Sequence, residues 1–264
     1  MLRANHLIGF GAGGSSIGTA SSYPLNGLSG VTAAWSPSRK LLSAWGGSLY
    51  TLSGGDIATI LDQTGNSRDF SDSAALTLPA LSTAGTNGRA CADFDGVNDV
   101  LQVDTVALSN FISNTTGYIL ATAIIDAITT NAANIESNDC LFSDNGGNFG
   151  FHFKNGGGAT YTGHGYNWDG NRDVTTHASF PLGSLVVCEW WHESGTVWSR
   201  INKGTKQSAA SGNSTVTSTL QLMRASVASV RTDGKFFEMF TANVVPSDPV
   251  KDALVDDFTL WPGA

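Results

Sequence analysis

The feature that most constrains this chain is the density of its turn signals. Clusters such as Ser53-Gly54-Gly55-Asp56, Gly85-Thr86-Asn87-Gly88, Asp144-Asn145-Gly146-Gly147-Asn148 and Asn155-Gly156-Gly157-Gly158 punctuate it, with short apolar segments between. Gly reaches positive φ without steric cost, and Asn and Asp bond their own backbone, so each cluster reverses the chain. Strands of roughly four to eight residues between such reversals build a sandwich or a barrel. No fixed repeat period appears, which excludes a propeller or solenoid.

Composition agrees. Only 14% of the 264 residues are charged, against roughly 25% in average globular proteins. Long solvent-exposed helices rely on Glu, Lys and Arg, so few are expected. The apolar share of 41%, with 7 Trp and 13 Phe, supplies the core of one large β domain. The net charge of −8 repels a phosphate backbone and no Lys/Arg cluster offsets it, so nucleic acid is excluded as a partner. No apolar run is long enough to span a bilayer. The start, Met1 to Gly14, lacks the continuous apolar core of a signal peptide and reads as mature sequence.

Residues 1–30 are Gly/Ser-rich, uncharged after Arg3, and not periodic. They cannot bury enough surface to fold alone. Yet Leu7, Ile8, Phe10, Ile17, Tyr23 and Leu25 make them too apolar for a solvated linker. Two readings remain: a docking arm anchored through Leu7, Ile8, Phe10 and Ile17, or a strand pair at the domain edge. The globular domain is expected over 31–264. Cys91, Cys140 and Cys188 sit among apolar neighbours and are odd in number, so they read as buried free thiols, which favours a reducing cytosol during assembly.

One hairpin is legible residue by residue. Val186–Glu193 and Thr196–Asn202 flank Ser194-Gly195. With that pair as the turn, Glu193 faces Thr196, His192 faces Val197, Trp191 faces Trp198 and Glu189 faces Arg200. Alternation then puts Val186, Cys188, Trp190, His192, Val197 and Ile201 toward the core. Glu189, Trp191, Glu193, Trp198 and Arg200 share the polar face. Near the C-terminus, Ser247 or Asp248 can cap a helix whose Val250, Leu254, Phe258 and Trp261 recur at helical spacing. It is expected against the edge of the sandwich.

Several segments resemble a known family. Ile60-Leu61-Asp62-Gln63-Thr64-Gly65-Asn66-Ser67-Arg68-Asp69 is similar to the W-x-D-x-S-G-N-G-x-D signature of concanavalin A-like and laminin-G-like domains. Arg89-Ala90-Cys91-Ala92-Asp93-Phe94-Asp95-Gly96-Val97-Asn98-Asp99-Val100-Leu101 resembles their G-R-P-A-L-x-F-D-G-x-D-D-Y-L segment. Asn145–Phe153, Phe236–Phe240 and Pro246-Ser247-Asp248 resemble later strands and the segment that follows them, so the likeness spans roughly 50–264. Ile60, Leu61 and Cys91 depart from the pattern. The resemblance implies an all-β, two-sheet antiparallel jelly-roll sandwich, often binding carbohydrate. The Gly-rich arm ahead of the Trp-Gly-Gly and Asp-Gln-Thr-Gly-Asn region also resembles phage tail, baseplate and head-decoration proteins.

Candidate sites follow from residue chemistry. Glu189 and Glu193 stand about 13 Å apart on a strand, too far for the carboxylate pair of a retaining glycosidase, and Arg200 neutralises Glu189. No catalytic centre is expected. Trp191 and Trp198, with Glu189 and Arg200, make a platform for a sugar ring or partner surface, unless a loop or the arm covers them. Asp169, Asn171 and Asp173 alternate as in an oxygen-ligand Ca²⁺ loop, and Asp93, Asp95, Asn98 and Asp99 form a second cluster; both also suit plain turns. His6, His152, His164, His177 and His192 show no zinc spacing. The expectation is a non-enzymatic virion structural protein, anchored by its arm, homo-oligomeric in a particle with other virion proteins and assembled in the host cytoplasm. The alternatives are a carbohydrate-binding module that recognises surface glycans and, more remotely, a polysaccharide-degrading enzyme.

Overall fold

The computed structural model describes residues 23–71, 77–103, 112–113, 115–157, 160–168, 172–212, 219–225 and 230–260. The arm residues Leu7, Ile8, Phe10 and Ile17 lie outside them, as do Asp169, Asn171 and Trp261. In chain order the strands are β1 (Val31–Trp35), β2 (Tyr50–Ser53), β3 (Asp56–Ile60), β4 (Phe70–Ser71), β5 (Ala80–Ser82) and β6 (Cys91–Asp95). There follow β7 (Leu101–Gln102), β8 (Thr116–Ala127), β9 (Cys140–Asp144), β10 (Phe149–Asn155), β11 (Tyr161–Trp168) and β12 (Arg172–Val174). Then come β13 (Leu185–Glu193), β14 (Thr196–Ile201), β15 (Gln207–Ala210), β16 (Leu220–Leu222), β17 (Asp233–Ala242) and the helix α1 (Asp248–Leu260).

All pairings are antiparallel. In one layer β1 and β6 lie end to end along one side of β17, and β8, β13, β14 and β15 continue from its other side. The second layer runs β4, β7, β16, β9, β10, β11, β12. Strands β5 and β3 join the two, so one hydrogen-bonded system folds back on itself. This is the expected all-β sandwich.

Its interior is aromatic. Trp190, Phe149, Phe151, Phe153, Trp35 and Phe94 are all buried in one cluster between the layers. Trp190 meets Phe149 at 5.2 Å and donates its Nε1–H to the Tyr166 carbonyl at 3.1 Å. The hairpin β13–β14 has the register read from the sequence, from Glu193 opposite Thr196 to Glu189 opposite Arg200. Its core-facing set, Val186, Cys188, Trp190, His192, Val197 and Ile201, is buried.

Two placements differ from expectation. Helix α1 does not lie at the edge of the sandwich: Leu254, Val255 and Phe258 pack on Ala34, Tyr118, Leu120, Val187, Trp191 and Phe240, the outer face of the first layer. Segment 23–30, read as part of a docking arm or of an edge strand pair, forms turns that pack on the same face: Leu25 is buried in that cluster and its N–H donates to the Leu41 carbonyl. The physical reason is shared. The outer face of β8, β13 and β17 is itself apolar, and it needs a cover.

The family-like signatures are structural. Asp62 accepts hydrogen bonds from the Ala34 and Thr64 amides at 3.1 and 3.0 Å, tying the loop after β3 to β1. Arg89 donates to the Phe258 and Thr259 carbonyls, each at 3.1 Å, satisfying acceptors that the end of α1 leaves open. Asp95 and Asp99 bracket a turn: Asp95 accepts from Val97 N–H, and Asp99 accepts from Asp95 N–H.

Candidate functional site

The hairpin platform is built as the sequence implied, but it is roofed. Trp191 and Trp198 stack at 5.9 Å with their planes 5° apart. Trp191 is only 2% exposed, because α1 crosses it and sets the Lys251 ammonium 4.0 Å from its ring centroid. Glu189 is fully buried, forks onto Arg200 and accepts the Tyr118 hydroxyl at 2.7 Å, while Arg200 also reaches Asp252 of the helix. The cover over Trp191 is thus the C-terminal helix rather than a loop or the arm. These four residues seat the C-terminal helix, and Trp198 alone keeps part of its surface.

Among the described residues no group of three or more His, Cys, Asp or Glu side chains could hold an ion. Asp173 is half-buried on β12, and its proposed companions Asp169 and Asn171 are outside the described residues. Asp93, Asp95, Asp99 and Asp233 line a depression of about 470 Å³. Burial pushes the carboxyls of Asp99 and Asp233 upward. Asp95 and Asp99 hold the turn, and Asp93 faces Lys235 at 3.6 Å.

A concavity of about 540 Å³ lies where the 177–181 segment meets the end of β14 and the start of β15. Sequence reasoning missed it, because its walls come from two separate parts of the chain, 177–181 and 201–207. Phe180, Pro181 and Ile201 give it apolar surface; His177, Thr205 and Gln207 give it polar groups. The segment is pinned by a bridge of His177 to Gly163 and by Phe180 N–H donating to the Tyr161 carbonyl at 2.8 Å. Gly163 is required here: a Cβ would come within 2.9 Å of Ile201 Cδ1. On the other wall, Asn202 and Lys203 adopt left-handed φ values of 48° and 59°, and Gly204 N–H closes on the Ile201 carbonyl at 2.7 Å.

His177 is the pivot of this wall. Its Nε2 is 2.9 Å from Ser199 Oγ, and its ring lies 6.3 Å from Phe151 in a stacked arrangement. Burial holds its pKa down at about 4, so the imidazole is neutral near pH 7. Ser199 itself is fully buried and also bonded to Thr175, so the pair is not an accessible nucleophile and base. No carboxylate lines this concavity among the described residues. Apolar walls with a few neutral donors and acceptors suit an uncharged polyhydroxylated ligand.

No protein-family model and no curated protein matches the chain. Its shape does match solved structures. An arabinofuranosidase complexed with arabinofuranosyl-alpha-1,2-xylobiose superposes with a TM-score of 0.56 at 13% identity, over 87% of this chain and 62% of that one. Domain 4 of AbnA, a GH43 extracellular arabinanase from Geobacillus stearothermophilus in complex with arabinotriose, gives a TM-score of 0.51 at 15% identity. There the match covers 86% of this chain and 98% of the domain. A Trypanosoma rangeli sialidase gives 0.51 at 11% identity, over 86% of this chain and 32% of the enzyme. This chain thus spans less than two thirds of the arabinofuranosidase it resembles, and nearly all of the arabinanase domain. At these identities the likeness establishes the fold alone: a β-sandwich.

Proposed function

We propose that this protein is a glycan-binding β-sandwich, and that the concavity around His177, Ile201 and Gln207 receives the saccharide. The observation that carries the reading is that groove: about 540 Å³, lined by the apolar Phe180, Pro181 and Ile201 together with the neutral polar His177, Thr205 and Gln207. Its setting supports it, because the sandwich matches almost the whole of a domain solved with arabinotriose. Glycan binding takes precedence over the virion role. Shape and groove both speak to saccharides, whereas the virion reading leans on the N-terminal segment, whose first 22 residues lie outside the described part.

The reading is non-enzymatic. Glycoside hydrolysis needs two free carboxylates flanking the scissile bond. The groove offers none, and Glu189 is locked to Arg200. Calorimetric titration with arabinotriose and a panel of neutral oligosaccharides tests the proposal. At least one should bind, and His177→Ala and Gln207→Ala should each weaken it about tenfold, the loss of one or two hydrogen bonds. Binding unaffected by either variant would place the sugar elsewhere; sugar release from arabinan would end the non-enzymatic reading.

A further inference from the structure

The buried cations beneath α1 have acids against them. Arg39 meets Glu238 and Asp257, Arg89 faces Glu238, and Arg200 meets Glu189 and Asp252. Two arginines break that pattern. Arg224 and Arg231 face each other across an antiparallel bridge, clamped by Ala225 N–H to the Val230 carbonyl at 3.2 Å and Thr232 N–H to the Met223 carbonyl at 2.9 Å. Directly opposed residues in such a pair project from one face, so the two guanidinium groups stand side by side.

Both residues are half-buried, and the Nε of each is sealed from water with no hydrogen-bond partner. Among the described residues, no carboxylate pairs with either. Arg231 reaches only its neighbour's carbonyl, Nη1 to Val230 O at 3.4 Å. Burial, and then the adjacent Arg224, hold the Arg231 guanidinium below its usual value.

Such a pair is costly as a purely structural feature. Like charges directly opposed destabilise a strand pair, and a desolvated guanidinium nitrogen without an acceptor adds to the penalty. Acids are not scarce in a chain with 22 Asp and Glu against 14 Lys and Arg. The scaffold also holds the pair in place. Ser143 Oγ donates to the Arg224 carbonyl at 2.6 Å, and Cys140 N–H donates to Thr232 Oγ1 at 2.7 Å. Gln221 lies opposite Ser143 in the β16–β9 register, so the two share a face. It is fully buried, and its Oε1 has no donor while its Nε2 donates to Gln102. Unmet donors at Arg224 and Arg231 and an unmet acceptor at Gln221 therefore belong to β16 and the bridge that follows it.

We propose that Arg224 and Arg231 form an oxyanion site, distinct from the His177 groove, that takes the carboxylate of an acidic sugar. Two guanidinium forks match a carboxylate in charge and in planar geometry. That the carboxylate is carried by a sugar rests on the glycan-binding reading above; the anion site itself stands on the arginine pair.

The test is calorimetric titration of the full chain at low salt with trigalacturonate, its fully methyl-esterified form, arabinotriose and inorganic sulfate. Trigalacturonate should bind at least about tenfold more tightly than its ester, and Arg224→Gln and Arg231→Gln should each remove about that factor. Both variants should leave arabinotriose binding unchanged and keep or raise the Tm, since each relieves the like-charge contact. Equal affinity for acid and ester overturns the site, as does a marked fall in Tm, which would make the arginines structural. Sulfate binding without trigalacturonate binding overturns the sugar assignment. Arabinotriose binding without trigalacturonate binding overturns this inference and leaves the glycan reading intact. Failure of arabinotriose and every neutral sugar, with trigalacturonate binding still lost in Arg224→Gln, overturns the assignment of a saccharide to the His177 groove and leaves the acidic-sugar site intact.

Discussion

Arg39 and Glu238, 199 positions apart, meet as a two-pronged ion pair beneath the C-terminal helix, with Nε to Oε2 at 2.8 Å and Nη2 to Oε1 at 3.1 Å. The third prong of Arg39 reaches Asp257 on α1 at 2.8 Å. One buried guanidinium thus ties the loop after β1, the strand β17 and the helix together. Removing it strips the two-pronged pair from Glu238, which still has Arg89 at 4.0 Å, and the ion pair from Asp257. Arg39→Met should cost about 3–5 kcal/mol in urea unfolding, and Arg39→Lys, which keeps the charge but not the fork, should cost less. A loss below 1 kcal/mol would show that the network relaxes freely.

Phe258 is the anchor of the helix on the sheet. Its ring is fully buried, 5.8 Å from Phe240, with the Arg39 guanidinium 5.2 Å above its centroid. Phe258→Ala should destabilise by about 3–5 kcal/mol. It should also loosen the cover over Trp191 and shift tryptophan emission to the red. Unchanged emission would mean that Leu254 and Val255 hold the helix without it.

Three histidines set the acid limit of the fold. Burial holds His152, His164 and His177 down at about 4, against roughly 6.5 in an unfolded chain. Between those values the unfolded state binds more protons, so stability is fully present above about pH 6.5 and falls as pH drops toward 4. Each histidine contributes at most about 1.4 kcal/mol per pH unit in that window. Urea midpoints at pH 7, 6 and 5 should decline accordingly, and His152→Gln should flatten the slope. Asp248, held at about 2 by bonds from Lys206 and Lys251, adds a further loss between roughly pH 4 and 2.

The thiols should be silent in the native state. Cys91, Cys140 and Cys188 are buried and unpaired with one another, and burial pushes each upward, Cys91 to about 11. A disulfide-exchange reagent at pH 8 should label none of the three while the protein is folded and all three in denaturant. Fast labelling of Cys91 in the native protein would reveal local opening of β6.

Much of the fold could be read from the chain, and one hairpin in full. Ser194-Gly195 dictates a tight reversal, with φ values of 52° and 72° in the folded protein. Once the turn is set, strand alternation leaves no freedom about which residues oppose. Glu189 and Arg200 were therefore legible as a pair. That they lie under a helix was not, because α1 is 50 residues downstream and nothing local says which face it will choose. The His177 groove was equally hidden: residues 177–181 and 201–207 become neighbours only after β11 and β14 come together. Arg224 and Arg231 stand seven positions apart with only Ala, Ser and Val between, and it is the antiparallel bridge that sets them opposite each other.

Turn chemistry and two-residue alternation are local properties, and they committed this chain to short antiparallel strands with an aromatic interior. Which faces stayed open was a long-range matter, decided by how the layers closed. The outer face of the first sheet proved apolar enough to need the helix and Leu25 as cover. That cover took Trp191 out of solvent and left the open concavities to surfaces assembled from separate segments.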